Sequence, residues 1–98
     1  MKRNAIMLRD QDNVATALAD LPAGTAACVG VGEECRNVVL AQDIAYGHKF
    51  AVRGIAQGED ILKYGEVIGR ATAAIPAGAH AHVHNIESLR GRGDRKDA

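Results

Sequence analysis

Gly47-His48-Lys49, Lys63-Tyr64-Gly65-Glu66-Val67-Ile68-Gly69 and His82-Val83-His84-Asn85 gather the groups of this chain best suited to chemistry. Histidine titrates near neutral pH and can give or take a proton. As neutral imidazole it also suits iron, manganese and zinc. Such groups are costly to bury without partners. Glycines beside them let a ligand or another chain come close to the backbone. The chemistry is therefore concentrated between Gly47 and Asn85.

His82 and His84 are the candidate metal pair. They are two residues apart, and residues two apart share one face of a strand. His80 or the distant His48 could supply a third ligand, and Val83 is expected to point into the core between the pair. The plainer alternative is that these histidines hydrogen-bond within a turn, or hold a substrate without metal. His48 and Lys49 could hold a carboxylate or take part in proton transfer. The plainer reading makes His48 a turn residue and Lys49 a charge at a strand edge. The plainer reading takes Lys63 as solvated, Tyr64 as a ring packed on the core with its hydroxyl outward, and Asn85 as a strand cap or an orienter of a histidine.

These residues need a frame, and 98 residues make one domain. A domain of this size buries roughly 60–70% of its unfolded surface, enough for a fold but not for a deep enclosed site. Aromatic residues are only 3% of the chain, so Val, Ile, Leu and Ala must build the core. Stacking on bases is nearly excluded. Twelve Lys and Arg balance twelve Asp and Glu, so the basic footprint of a nucleic-acid binder is missing. Ala5 to Leu8 is too short for a signal peptide or a membrane span. A cytoplasmic protein with Cys28 and Cys35 reduced is the expectation.

Ala5-Ile6-Met7-Leu8 reads as a first strand. Val14, Ala15, Leu18 and Leu21 recur at helical spacing, which predicts a short helix over Asn13 to Asp20, capped by Asp10 or Asp12. Further strands are predicted over Asn37 to Ala41, Lys49 to Arg53, Glu66 to Thr72 and His80 to Ile86. The segments starting at Leu21, Ile55 and Ile75 echo one another: an apolar residue, two turn residues, then Gly. That punctuation belongs to a tightly turning β-domain. The fold class is mostly β with one short helix near the N-terminus. The domain covers residues 1–89, and 90–98 read as a flexible charged tail.

Asp12-Asn13-Val14-Ala15, Leu21-Pro22-Ala23-Gly24, Gly47-His48-Lys49, Ile55-Ala56-Gln57-Gly58-Glu59, Lys63-Tyr64-Gly65-Glu66-Val67-Ile68-Gly69 and His82-Val83-His84-Asn85 follow one another in this order. The chain in this respect resembles the small SAF-type domain of the altronate/galactarate dehydratase family, which includes the small subunit of sulfolactate sulfo-lyase. The resemblance runs from about Asn4 to about Leu89. It implies a β-clip fold and a lyase that removes water or sulfite from a hydroxy acid. It also implies a divalent metal, iron or manganese, shared with a large catalytic subunit, to which this chain would be the small partner. The matched motifs make His48 and Lys49 the catalytic candidates, and Lys63, Tyr64 and Asn85 the substrate-binding ones. His80 departs from the pattern, where a bulkier apolar or aromatic residue is expected. Self-association is left open. The alternative is a non-catalytic β-clip module that binds a small ligand or a protein.

Overall fold

The structure, a computed structural model, describes residues 3–88. The proposed tail over 90–98 lies outside them. Within the described residues nine strands form two sheets. They are β1 (Ala5–Ile6), β2 (Val14–Ala17), β3 (Ala26–Val31), β4 (Glu34–Val39), β5 (Lys49–Ala51), β6 (Asp60–Lys63), β7 (Glu66–Ala71), β8 (His80–Ala81) and β9 (Ile86–Ser88). The larger sheet runs β4-β3-β1-β2-β5-β8, and the smaller runs β6-β7-β9. Among the described residues only the β1–β3 pairing is parallel.

The mostly-β expectation stands, but the helix does not: the described residues contain none. Val14–Ala17 is a strand that pairs with β1 on one side and β5 on the other. Val14, Ala15 and Ala17 are all buried, because an inner strand can be covered on both faces. That double burial removes alternation and leaves a run that spacing alone cannot tell from a helix. Asp12, the supposed cap, has another task, described below.

One turn occurs four times, in Leu21–Thr25, Ile44–His48, Ile55–Glu59 and Ile75–Ala79. Leu21 and Ile44 exchange two backbone bonds of 2.8 Å, and so do Ile55 and Ile75. Each turn closes with a backbone bond from the residue after Gly: Thr25 to Pro22, His48 to Ala45, Glu59 to Ala56 and Ala79 to Pro76. The glycines have φ of 88° (Gly24), 82° (Gly47), 88° (Gly58) and 83° (Gly78). These are left-handed values that a type II turn requires of its third residue. At Gly78 a Cβ would also fall 2.1 Å from the carbonyl oxygen of Val39. The Ile44 copy is the one that the sequence echo conceals, since Tyr46 stands where the others have Ala or Gln. It is also the copy that ends on His48.

Two apolar clusters fill the interior. One is built around Phe50, Met7, Leu40 and Ile44, the other around Ile61, Ile75, Ile55 and Val14. The fully buried pair Asp12 and Asn13 fastens the β6–β7 hairpin to the larger sheet. Asp12 accepts from the backbone N–H groups of Leu8, Arg9, Tyr64 and Gly65 at 2.8–3.3 Å. Asn13 donates to the carbonyl of Asp60 and accepts from the N–H of Leu62, both at 2.8 Å. Buried polar groups persist where their hydrogen bonds are made, and here they are.

Cys28 and Cys35 stand on the paired strands β3 and β4 with Cα atoms 5.7 Å apart, within disulfide reach. Their sulfurs are joined, which corrects the expectation of reduced thiols. No helix of the described residues is long and apolar enough to cross a membrane.

Candidate metal centre

Strand register brings the histidines together. Lys49 pairs with Ala81 and Phe50 with His80 across the β5–β8 ladder. One step further along, His48 falls opposite His82. Paired residues point to the same face of a sheet, so the three imidazoles converge. The ring centroids of His48 and His82 are 4.6 Å apart, those of His48 and His80 5.1 Å, and those of His80 and His82 5.3 Å. One ligand nitrogen from each of the three lies within 4.8 Å of the others. Nδ1 of His48 and Nε2 of His80 are 2.9 Å apart.

The expected single strand over His80 to Ile86 is not formed. β8 ends at Ala81, and the chain turns through His82–Asn85 before β9. His82 accepts through its carbonyl from the N–H groups of Asn85 and Ile86. This turn corrects the placement of Val83, which is 82% exposed instead of pointing into the core. His84 is exposed too, with its ring tilted at 5.2 Å from that of His80. It is not one of the three with converging nitrogens.

The turn is held from both sides. Asn85 accepts from the His82 N–H at 2.8 Å and donates to the His80 carbonyl at 2.9 Å. Its side chain is thus a clamp on the two histidines. Gln42 accepts from the His80 N–H at 2.8 Å. His48 is fixed through its turn, where Asp20 accepts from the Tyr46 N–H at 2.8 Å. No local sequence signal marks Gln42 or Asp20, and only the fold brings them to the histidines.

Desolvation, followed by coulombic repulsion from His48, His82, His84 and Lys49, lowers the pKa of His80. The pKa of His82 is lowered by desolvation, followed by His48, Lys49 and His84. Both shifts favour the neutral imidazole, the form that ligates a metal. Two nitrogens bound to one tetrahedral zinc-sized ion stand about 3.3 Å apart, given metal–nitrogen bonds of about 2.0–2.1 Å. The His48–His80 spacing lies close to that. The donor set fits a divalent ion of the imidazole-preferring kind.

Lys49 is half-buried beside the cluster, and its pKa is lowered by desolvation and then by the charge of Lys63. The two ion pairs among the described residues, Arg36–Asp10 and Arg53–Glu59, lie elsewhere. Lys63 ends β6, with its ammonium 4.8 Å from the centre of the Tyr64 ring. Tyr64 has φ of 57°, the only positive value outside glycine among the described residues. The turn is an outlier for a bulky residue, and Asp12 holds it in place through the Tyr64 and Gly65 N–H groups.

Fold and site define a small two-sheet β-domain that presents ligand-type side chains on an open surface. The chain belongs to the altronate/galactarate dehydratase SAF domain family, which it matches over residues 3–89. It is 50% identical to the altronate dehydratase of Escherichia coli (strain K12) over 83 residues, covering 85% of this chain and 16% of that protein. It is 38% identical to the altronate dehydratase of Bacillus subtilis (strain 168) over 87 residues, covering 88% of this chain and again 16% of the relative. To the (2R)-sulfolactate sulfo-lyase subunit alpha of Chromohalobacter salexigens it is 45% identical over 47 residues, 48% of this chain and 50% of that subunit. The match thus spans only a small part of the altronate dehydratases and half of the sulfo-lyase subunit.

Proposed function

We propose that this chain is the small SAF component of a lyase that eliminates water or sulfite from a hydroxy acid. In this reading it adds site residues to a larger catalytic portion, and the substrate is a sugar acid or a short sulfonated hydroxy acid. The convergence of His48, His80 and His82 carries the reading. Support also comes from relatives named as dehydratases and as a sulfo-lyase subunit, of which this domain is a minor part.

The three histidines would hold a divalent metal, iron or manganese in this family's chemistry. Such an ion polarises a hydroxyl or carboxylate oxygen and stabilises developing negative charge. The chain's own groups would bind and orient the substrate, and the proton transfers are shared with the larger portion. Elimination beside a carboxylate needs a base for the α-proton and an acid for the departing group. Lys63 and Tyr64 form a second, partly exposed element on the β6–β7 turn, suited to a substrate or partner contact. Asn85 acts through the histidines that it clamps.

The test is reconstitution. The chain is co-expressed with a large dehydratase-type partner, and turnover of altronate, galactarate and sulfolactate is measured with iron or manganese supplied. Stable co-purification and metal-dependent turnover by the pair, with none by the chain alone, is the expected result. A chain that neither associates with such a partner nor changes its activity is instead a non-catalytic binding module.

A further inference from the structure

A pocket of about 190 Å³ opens beside the imidazole cluster, lined by Lys49, Ile68, His82, Val83, Ile86 and Ser88. Its composition is specific. One ammonium and one imidazole share its lining with three aliphatic side chains and a serine. Lys49 is half-buried, with neither of the described ion pairs reaching it. A half-buried cation gains most from an anion that can follow it out of water. Aliphatic walls suit an organic body and offer nothing to the outer oxygens of a phosphate. Phosphates instead favour arginine forks or rows of backbone N–H groups. His82 belongs to both the pocket and the triad, so whatever rests on Lys49 has its next atoms beside the imidazoles.

We propose that this pocket is a carboxylate subsite, taking the carboxylate of a short 2-hydroxy acid on Lys49 with the adjacent hydroxyl-bearing carbon against His82. The inference deepens the lyase reading and rests on it for its biological meaning, but the binding belongs to the chain itself. Ile68 and Ile86 pack along the acid's carbon chain, and the exposed Val83 forms the rim. The subsite fixes which end of a substrate lies on this domain. The carboxylate end is held here, and the remainder projects toward the catalytic portion.

The experiment follows the methyl resonances of Ile68, Val83 and Ile86 in the metal-free chain during titration with lactate, with its neutral analogue lactamide, and with inorganic phosphate. Lactate should move these methyls saturably. Lactamide should bind roughly tenfold more weakly or not at all, the loss of one charge-assisted contact. Lys49→Met should weaken lactate by a similar factor, and Lys49→Arg should retain part of it. The proposal is overturned if lactate and lactamide act alike, if Lys49→Met binds lactate as the parent does, or if phosphate moves the same methyls at the same concentrations. A parallel zinc titration followed on the histidine rings separates the two ideas. Lactate binding without metal binding removes the metal reading and leaves the subsite, and the reverse result removes the subsite alone.

Discussion

Nδ1 of His48 and Nε2 of His80 lie 2.9 Å apart although 32 residues separate them in the chain. One of the two must be an acceptor, so the contact requires at least one neutral imidazole. A pair of imidazoles that share a proton in this way can exchange it for a metal ion.

Metal affinity should therefore depend unequally on the histidines. His48→Ala, His80→Ala and His82→Ala are each expected to lower zinc or manganese affinity by about tenfold or more. His84→Ala should change it much less, since its ring is outside the converging set. Isothermal titration of the four variants checks the ranking. An equal or larger loss in His84→Ala would move the centre to another set of histidines.

The pH dependence of stability has a defined sign. In the folded chain His80 and His82 have pKa values below the ordinary 6.5. Below about pH 6.5 the unfolded chain binds more protons at these sites than the folded one. Their contribution is intact above that pH and is lost as pH falls toward the lowered folded values. The metal-free chain should melt at lower temperature at about pH 5 than at about pH 7.5, and the double variant His80→Gln/His82→Gln should show a shallower decline. A decline as steep in the double variant as in the parent would place the titrating groups elsewhere.

Asp12 and Val83 should behave oppositely to what their types suggest. Asp12→Ala removes the acceptor for four backbone N–H groups and should cost at least about 3 kcal/mol. Val83→Ala alters an exposed rim and should stay within about ±0.5 kcal/mol. Urea unfolding of the two variants measures both. A large loss for Val83→Ala would mean that the turn after β8 is packed against the body of the domain.

Tyr64 occupies a left-handed position that costs a non-glycine residue about 1–2 kcal/mol. Asn tolerates this conformation better, especially before Gly. Tyr64→Asn should then raise stability by up to about 1 kcal/mol. If the ring serves substrate or partner, the same variant should lower activity of the reconstituted complex. Thermal melting and turnover on one variant separate the two effects.

The sequence exposed the β-rich character and the segments that carry chemistry, because glycine-punctuated turns and histidine spacing are local signals. It misled at Val14–Ala17, where burial on both faces of an inner strand imitates helical spacing. It misled again at Val83, because alternation was carried past Ala81 into a turn that Asn85 closes. His80 and His48 were each legible as a possible third ligand, but that both join the site was not. His80 joins His48 through the β5–β8 register, and register is a property of two strands together that neither segment carries alone. The grip of Asp12 on the Tyr64–Gly65 turn was equally out of reach, since more than fifty residues separate the two.

The four copies of one turn give the frame a modular character. In each, the closing bond is a main-chain bond beside a left-handed glycine, and the side chain of the next residue takes no part in that bond, although Glu59 also accepts from the Ala56 N–H. That next position holds Thr25, His48, Glu59 and Ala79. Thr25, His48 and Glu59 are partly exposed there and form an interchangeable socket, whereas Ala79 is buried in the core. Reactive groups can be installed at one socket, or lost from it, without rebuilding the backbone beneath. Selection can therefore alter the chemistry of such a domain faster than its shape.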